Sequence, residues 1–190
     1  MEKNLELNTP KSLRIHIGIF GRTNVGKSTL VNYISGQDTS IVSAVAGTTT
    51  DSVYKSMEFS PLGPVTFIDT AGIDDISILS KERIERTTKI FDLTDVAIIV
   101  LEPNIFTDFE QNIIKKLTDK ENPFLFVINN YKKEKLNDKF LQQLSNYKFI
   151  ETELLQETNY REQFLSALKQ IFLSVIPEDV LNLQPLTQNI

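Results

Sequence analysis

Gly21-Arg22-Thr23-Asn24-Val25-Gly26-Lys27-Ser28 is the stretch from which the rest of the chain can be read. It matches G-x-x-x-x-G-K-[ST] and lies between an apolar run, Leu13 to Phe20, and a segment, Lys27 to Ser35, that stops at Gly36. Strand, glycine-bearing turn and helix in that order are what the motif requires. Glycines let the backbone curl so that successive N–H groups converge on an anion, and the helix that follows adds its positive N-terminal end. A polyphosphate is the matching ligand. Gly21, Asn24, Val25 and Gly26 line the nest, Lys27 reaches the β- and γ-phosphates as a point charge, and Thr29 follows in the first helical turn. The Ser28 hydroxyl is a hard oxygen ligand suited to Mg²⁺.

Working outward, Val96 to Leu101 and Phe124 to Ile128 are nearly continuous hydrophobes, the pattern of central parallel strands covered on both faces. Between them, Asp108 to Lys120 places Phe109, Ile113 and Leu117 at steps of four, which predicts a linking amphipathic helix. Val53 to Phe59 alternates in polarity, and Pro61-Leu62-Gly63-Pro64 turns it into Val65 to Ile68, a hairpin whose first strand runs antiparallel to the rest. Further helices are predicted over Ser80 to Phe91, Leu136 to Ser145 and Tyr160 to Val175, the last with Phe164, Leu168, Ile171, Phe172 and Val175 on its core stripe. The expected fold is α/β: a mostly parallel six-stranded sheet with one antiparallel edge strand and helices on both faces, of the P-loop NTPase type. Residues 1–12 read as an N-terminal extension, 13–176 as the domain and 177–190 as a tail or linker.

A second motif, Asp69-Thr70-Ala71-Gly72, ends the strand Val65 to Ile68 and so falls at the carboxyl edge of the sheet, where ligands of open α/β folds bind. Asp69 can hold Mg²⁺ through a water, and the Gly72 amide can approach a γ-phosphate and swing away after hydrolysis. Between the two motifs, Gly47-Thr48-Thr49-Thr50-Asp51 lies in a polar stretch without periodicity. One of its threonines can ligate Mg²⁺ while the γ-phosphate is present; a solvated threonine-rich loop is the plainer alternative.

Composition narrows the chemistry. The 190 residues contain no cysteine and one histidine, which excludes disulfides, thiolate metal sites and a cysteine nucleophile and disfavours a histidine-based metal centre. With 20 Lys+Arg against 25 Asp+Glu, the formal charge of −5 disfavours non-specific nucleic-acid or acidic-membrane binding. No apolar stretch approaches the roughly 18–20 residues that span a bilayer. These features point to a soluble, cytoplasmic protein without membrane or nucleic-acid partners.

The order of phosphate loop, threonine-bearing loop and Asp-Thr-Ala-Gly resembles the small GTPase superfamily, and the TrmE–Era–EngA branch within it, from residue 13 to about 175. Inside that branch, Gly36-Gln37-Asp38, Ile41-Val42-Ser43, Ala46 to Lys55 and Pro61 to Val65 are most similar to the HydF family of FeFe-hydrogenase maturation GTPases. The resemblance implies GTP and GDP as ligands and GTP hydrolysis as the activity, with Lys27, Thr49, Gly72 and Asn24 as catalytic residues. It places the Mg²⁺-binding threonine at Thr49, beside Ser28 and Asp69. It also implies hydrogenase maturation partners and a possible homodimer. Ile73 stands where Ras-like enzymes carry a water-orienting Gln, and branch members with a hydrophobic residue there use K⁺ held by a phosphate-loop Asn, which matches Asn24. Glu82 resembles a water-orienting Glu of some relatives, although a solvated helix face is its plainer reading.

The base-reading segments depart from the pattern. Asn129-Asn130-Tyr131-Lys132 stands where the superfamily has N-K-x-D, so Asn129 and Asn130 remain as nucleotide-binding candidates while the carboxylate acceptor is replaced by Lys132. Ile150-Glu151-Thr152-Glu153 occupies the region of the expected S-A-K, with Glu151 and Glu153 as alternative acceptors for guanine. Three readings follow: a GTPase switch, an NTPase tolerant of ATP, and a protein-interaction module on a decayed NTPase fold.

Overall fold

A computed structural model describes residues 14–36, 53–70, 88–154, 158–178 and 181. Its six strands are β1 (Ile15–Gly21), β2 (Val53–Glu58), β3 (Pro64–Asp69), β4 (Val96–Leu101), β5 (Phe124–Asn129) and β6 (Phe149–Thr152). The helices labelled among the described residues are α1 (Lys27–Ser35), α2 (Asp108–Asp119) and α3 (Asp138–Leu144), which lie between strands, and α4 (Thr158–Val175), which follows β6. Residues 88–93 are also helical. The strands form one sheet in the order β2-β3-β1-β4-β5-β6, parallel except for β2, which pairs antiparallel with β3 at one edge.

The continuous hydrophobicity of β4 has a direct cause in this layering. Val96, Ile98 and Val100 point to one face and pack with Leu30 and Ile34 of α1 and Leu168 and Phe172 of α4. Ala97, Ile99 and Leu101 point to the other and pack with Ile90, Phe91, Ile113 and Leu117. A strand whose side chains alternate between two covered faces has no position left for a polar residue.

Chain order explains where a ligand can sit. From β1 the chain winds through α1 and β2 to β3 on one side, and β4 then lies on the other side of β1. Such a reversal leaves a crevice outside the carboxyl end of β1, and the Gly21–Ser28 loop occupies it. The lone histidine is remote from that end: His16, near the amino end of β1, faces Asp95 with its ring Nδ1 3.3 Å from the carboxylate.

Two details exceed what the sequence predicts. The hairpin turn folds inward: Phe59 and Leu62 are buried, Phe59 N–H donates to Gly63 O at 2.8 Å, and the Ser60–Pro61 bond is cis. Arg161 of α4 donates to the carbonyls of Tyr33 and Ile34 at 2.6 and 2.8 Å, satisfying acceptors that the last turn of α1 leaves open. The strand and helix bounds read from the sequence differ by one or two residues; β1 starts at Ile15, β3 gains Pro64 and Asp69, and α4 starts at Thr158, while Ile150 to Thr152, expected in the loop after the sixth strand, belong to β6 itself. The predicted helix from Ser80 lies outside the described residues up to 87.

Candidate functional site

Two glycines give the loop its path. Gly21 has φ +141° at the last β1 position, and a Cβ there would run into the backbone carbonyl oxygen of Val100 on β4. Gly26 has φ +106°, and a Cβ there would lie 2.5 Å from Asn129 Nδ2. Both backbones occupy a region that side-chain-bearing residues avoid, and both are hemmed in by the neighbouring strand ends. Asn24, at φ 62°, makes the exposed left-handed corner between them, a conformation asparagine tolerates better than most residues.

Lys27 folds back under the loop. Its ammonium donates to Gly21 O at 2.9 Å and Arg22 O at 2.7 Å, and the side chain is buried. A buried cation needs such acceptors, and here the loop's own carbonyls supply them. At the start of α1, the Ser28 hydroxyl donates to Asp69 Oδ2 at 2.5 Å. The loop and the carboxyl end of β3 therefore meet through two of the three residues that the sequence analysis names for Mg²⁺. Hydroxyl and carboxylate oxygens are the hard donors that this ion prefers, so the pair fits it chemically. Thr70 continues the connection, its hydroxyl donating to Ile19 O at 2.5 Å.

The third wall is the end of β5. Asn129 Nδ2 donates to Val25 O at 2.9 Å and so ties this strand end to the loop. Its Oδ1 is buried and has no hydrogen-bond partner among the described residues. A buried amide oxygen left in that condition is costly, which makes it a group to be explained by what binds beside it.

Asn130 behaves differently from its neighbour. Its side chain accepts from Glu134 N–H at 2.8 Å and donates to Glu134 O at 2.8 Å and to Glu151 Oε1 at 2.5 Å. Its own N–H donates to Thr152 O at 2.7 Å. Asn130 thus staples residues 130–134 to β6, and Glu151 is engaged in the staple. Lys132 is exposed, its ammonium 5.3 Å from the Tyr131 ring centroid, and the neighbouring Tyr131 raises its pKa above the ordinary value. Glu153 forms an ion pair with Lys133 at 3.3 Å.

The structure thus brings together Gly21, Val25, Gly26, Lys27, Ser28, Asp69 and Asn129 around one loop, with Asn24 at its rim and Thr29 following in α1. Thr49 and Gly72, with Ile73 and Glu82, lie outside the described residues. Sequence reasoning missed Arg22, Thr107 and Glu110. The Arg22 guanidinium donates through Nε to Glu110 Oε1 at 2.8 Å and through Nη2 to Oε2 at 3.1 Å, and Glu110 is buried to 2% exposure. The available signal was Thr107-Asp108-Phe109-Glu110, a capping-box pattern at the start of α2.

A lysine-bearing anion nest at the reversal point of a doubly wound parallel sheet defines a P-loop nucleotide-binding domain. Comparison with known proteins narrows the class. Residues 16–130 match the family described as 50S ribosome-binding GTPase, and this chain belongs to it. It is similar to GTPase Der of Wolinella succinogenes, 40% identical over 59% of this chain and 24% of that protein. It is also similar to the tRNA modification GTPase MnmE of Clostridioides difficile, 32% identical over 76% of this chain and 32% of the relative. The chain spans about a quarter to a third of the length of these relatives. Among solved structures, Era in complex with MgGDPNP and a segment of 16S ribosomal RNA shares the fold, with a TM-score of 0.62, 24% identity, and coverage of 85% of this chain and 56% of that one. Among the described residues no helix is long and apolar enough to cross a membrane.

Proposed function

We propose that this chain binds GTP and GDP with Mg²⁺ and hydrolyses GTP to GDP and phosphate as a molecular switch. The observation that carries the reading is the convergence of Lys27, Ser28 and Asp69 on one glycine-cornered loop, within a GTPase family match. In this reading the loop amides and Lys27 hold the β- and γ-phosphates, and Ser28 and Thr49 offer hydroxyl oxygens for Mg²⁺ while Asp69 acts through a water. The Gly72 amide contacts the γ-phosphate. When bound, Mg²⁺ neutralises charge on the β- and γ-phosphate oxygens. Asn129 borders the nucleoside end, and its buried Oδ1 faces no described protein donor.

Asn24 is proposed as a K⁺ ligand, because its side chain stands at the exposed rim of the nest and Ile73 cannot orient water. The HydF-like runs between residues 36 and 65 support a role in FeFe-hydrogenase maturation, with maturation proteins and the hydrogenase as partners and a homodimer as a possible assembly. The formal charge of −5 argues against a nucleic-acid partner of the kind bound by Era.

A second reading, an NTPase tolerant of ATP or one reduced to a protein-interaction module, is favoured by Lys132 and by the internal engagement of Asn130. Losing a charge-assisted bidentate acceptor weakens discrimination by about 1.5–3 kcal/mol per bond. Phosphate release with GTP and ATP, each with Mg²⁺ in KCl and in NaCl, separates the readings. The GTPase reading expects faster turnover of GTP, accelerated in KCl. Equal rates in the two salts remove the K⁺ role, equal rates for the two nucleotides favour base tolerance, and no release from bound GTP favours the interaction module.

A further inference from the structure

We infer that Arg22 and Glu110 form a positioning pair that fixes the phosphate loop by anchoring it to the N-terminus of α2. The inference rests on the nucleotide-binding reading above and adds residues that reading does not use. Arg22 has two attachments at once. Its carbonyl accepts from Lys27 Nζ at 2.7 Å and from Val25 N–H at 3.4 Å, inside the loop. Its guanidinium leaves the loop, pairs with both Glu110 oxygens, donates to Thr107 Oγ1 at 2.5 Å and lies 4.9 Å from the Phe109 ring centroid.

Glu110 is held as firmly from its own side. Its Oε2 accepts from Thr107 N–H at 2.7 Å, closing the capping box, and α2 itself is fixed by buried Ile113 and Leu117. The bidentate pairing holds the guanidinium against a buried, helix-locked carboxylate, and the arginine stem carries that restraint back to the Arg22 peptide. That peptide supplies one of the two carbonyls that accept from the Lys27 ammonium. A helix can be capped without an arginine, and a surface arginine can be solvated without a buried partner; only positioning of the loop requires both ends.

Glu110→Gln separates the roles, because Gln at this position still closes a capping box while the ion pair is lost. Asn137→Ala serves as the stability control: it removes the α3 cap, in which Asn137 Oδ1 accepts from Phe140 N–H at 2.8 Å, and leaves the Arg22–Glu110 pair intact. GDP affinity and thermal midpoint are measured for the 190-residue chain, for each variant, for Arg22→Gln and for the Arg22→Gln/Glu110→Gln double variant. The expected result is about tenfold or greater loss of GDP affinity in Glu110→Gln and in Arg22→Gln, little further loss in the double variant, and unchanged affinity in Asn137→Ala despite its lower midpoint. Wild-type affinity in Glu110→Gln, or affinities that fall only in step with the midpoint in all variants, overturns the pair's role while leaving nucleotide binding intact. A wild-type chain that binds no GDP overturns the functional reading and the positioning role together.

Discussion

Lys27→Met is expected to lower affinity for GTP by two to four orders of magnitude and to bring phosphate release to background, with the fold retained. The substitution keeps most of the aliphatic stem in its buried slot and removes the ammonium that sits under the loop. An ammonium has three N–H groups, so with nucleotide bound it can keep one carbonyl bond and give two charge-assisted bonds to phosphate oxygens; at about 1.5–3 kcal/mol each these amount to roughly 3–6 kcal/mol, or about 10²–10⁴ in affinity. The carbonyls of Gly21 and Arg22 also lose their donor, a cost of about 1–3 kcal/mol for each one left unsatisfied, so the thermal midpoint also falls. Titration with a fluorescent GTP analogue, beside circular dichroism, checks both effects. Near-wild-type affinity in a folded variant contradicts the role assigned to Lys27.

Gly21→Ala is expected to be the most damaging small substitution to the fold. Two costs combine: a backbone at φ +141° that alanine rarely adopts, and a Cβ directed at the Val100 carbonyl oxygen. The obstructing atom is backbone, held in the β1–β4 ladder where Gly21 and Val100 are register partners, so it cannot turn aside. Strain of about 1–3 kcal/mol and overpacking of a further 1–3 kcal/mol give roughly 2–6 kcal/mol, against a total of about 5–15 kcal/mol for an ordinary domain. At about 2–4 °C per kcal/mol for a chain of this size, the thermal midpoint drops by roughly 4–24 °C. Nucleotide affinity falls as well, because the loop must leave β1 at another angle. A midpoint within about 2 °C of wild type means that the strand end relaxes freely, which the register does not predict.

These two positions mark what was legible in the sequence. Gly21 and Lys27 belong to a local pattern whose residues act through backbone conformation and charge, so spacing alone exposes them. The same holds for β4 and β5, where burial on both faces leaves uninterrupted hydrophobes, and for β2, whose polarity alternates at an edge. The pairing of Glu110 with Arg22 was not legible. Glu110 follows Phe109 in an amphipathic helix and looks like a solvated charge, yet it is buried because a residue 88 positions earlier brings a guanidinium to it. Contacts at that separation depend on strand order, which one sequence does not display residue by residue.

The segment that follows β5 shows the same limit in another form. Loss of the acceptor at Lys132 was readable, since a lysine cannot accept a hydrogen bond. The fate of Asn130 was not, because its partners, the backbone of Glu134 and the side chain of Glu151, come from a turn and from a strand edge. Asn129 and Asn130 are adjacent and chemically identical, and the fold gives one to the phosphate loop and the other to its own turn.

Calorimetric titration of the 190-residue chain with a non-hydrolysable GTP analogue, in MgCl₂ and KCl, tests the central claim most directly. Saturable heat corresponding to one nucleotide per chain, weakened by removal of Mg²⁺ and lost in Lys27→Met, is the predicted result. A folded wild-type chain that gives no heat with the analogue or with GDP contradicts it.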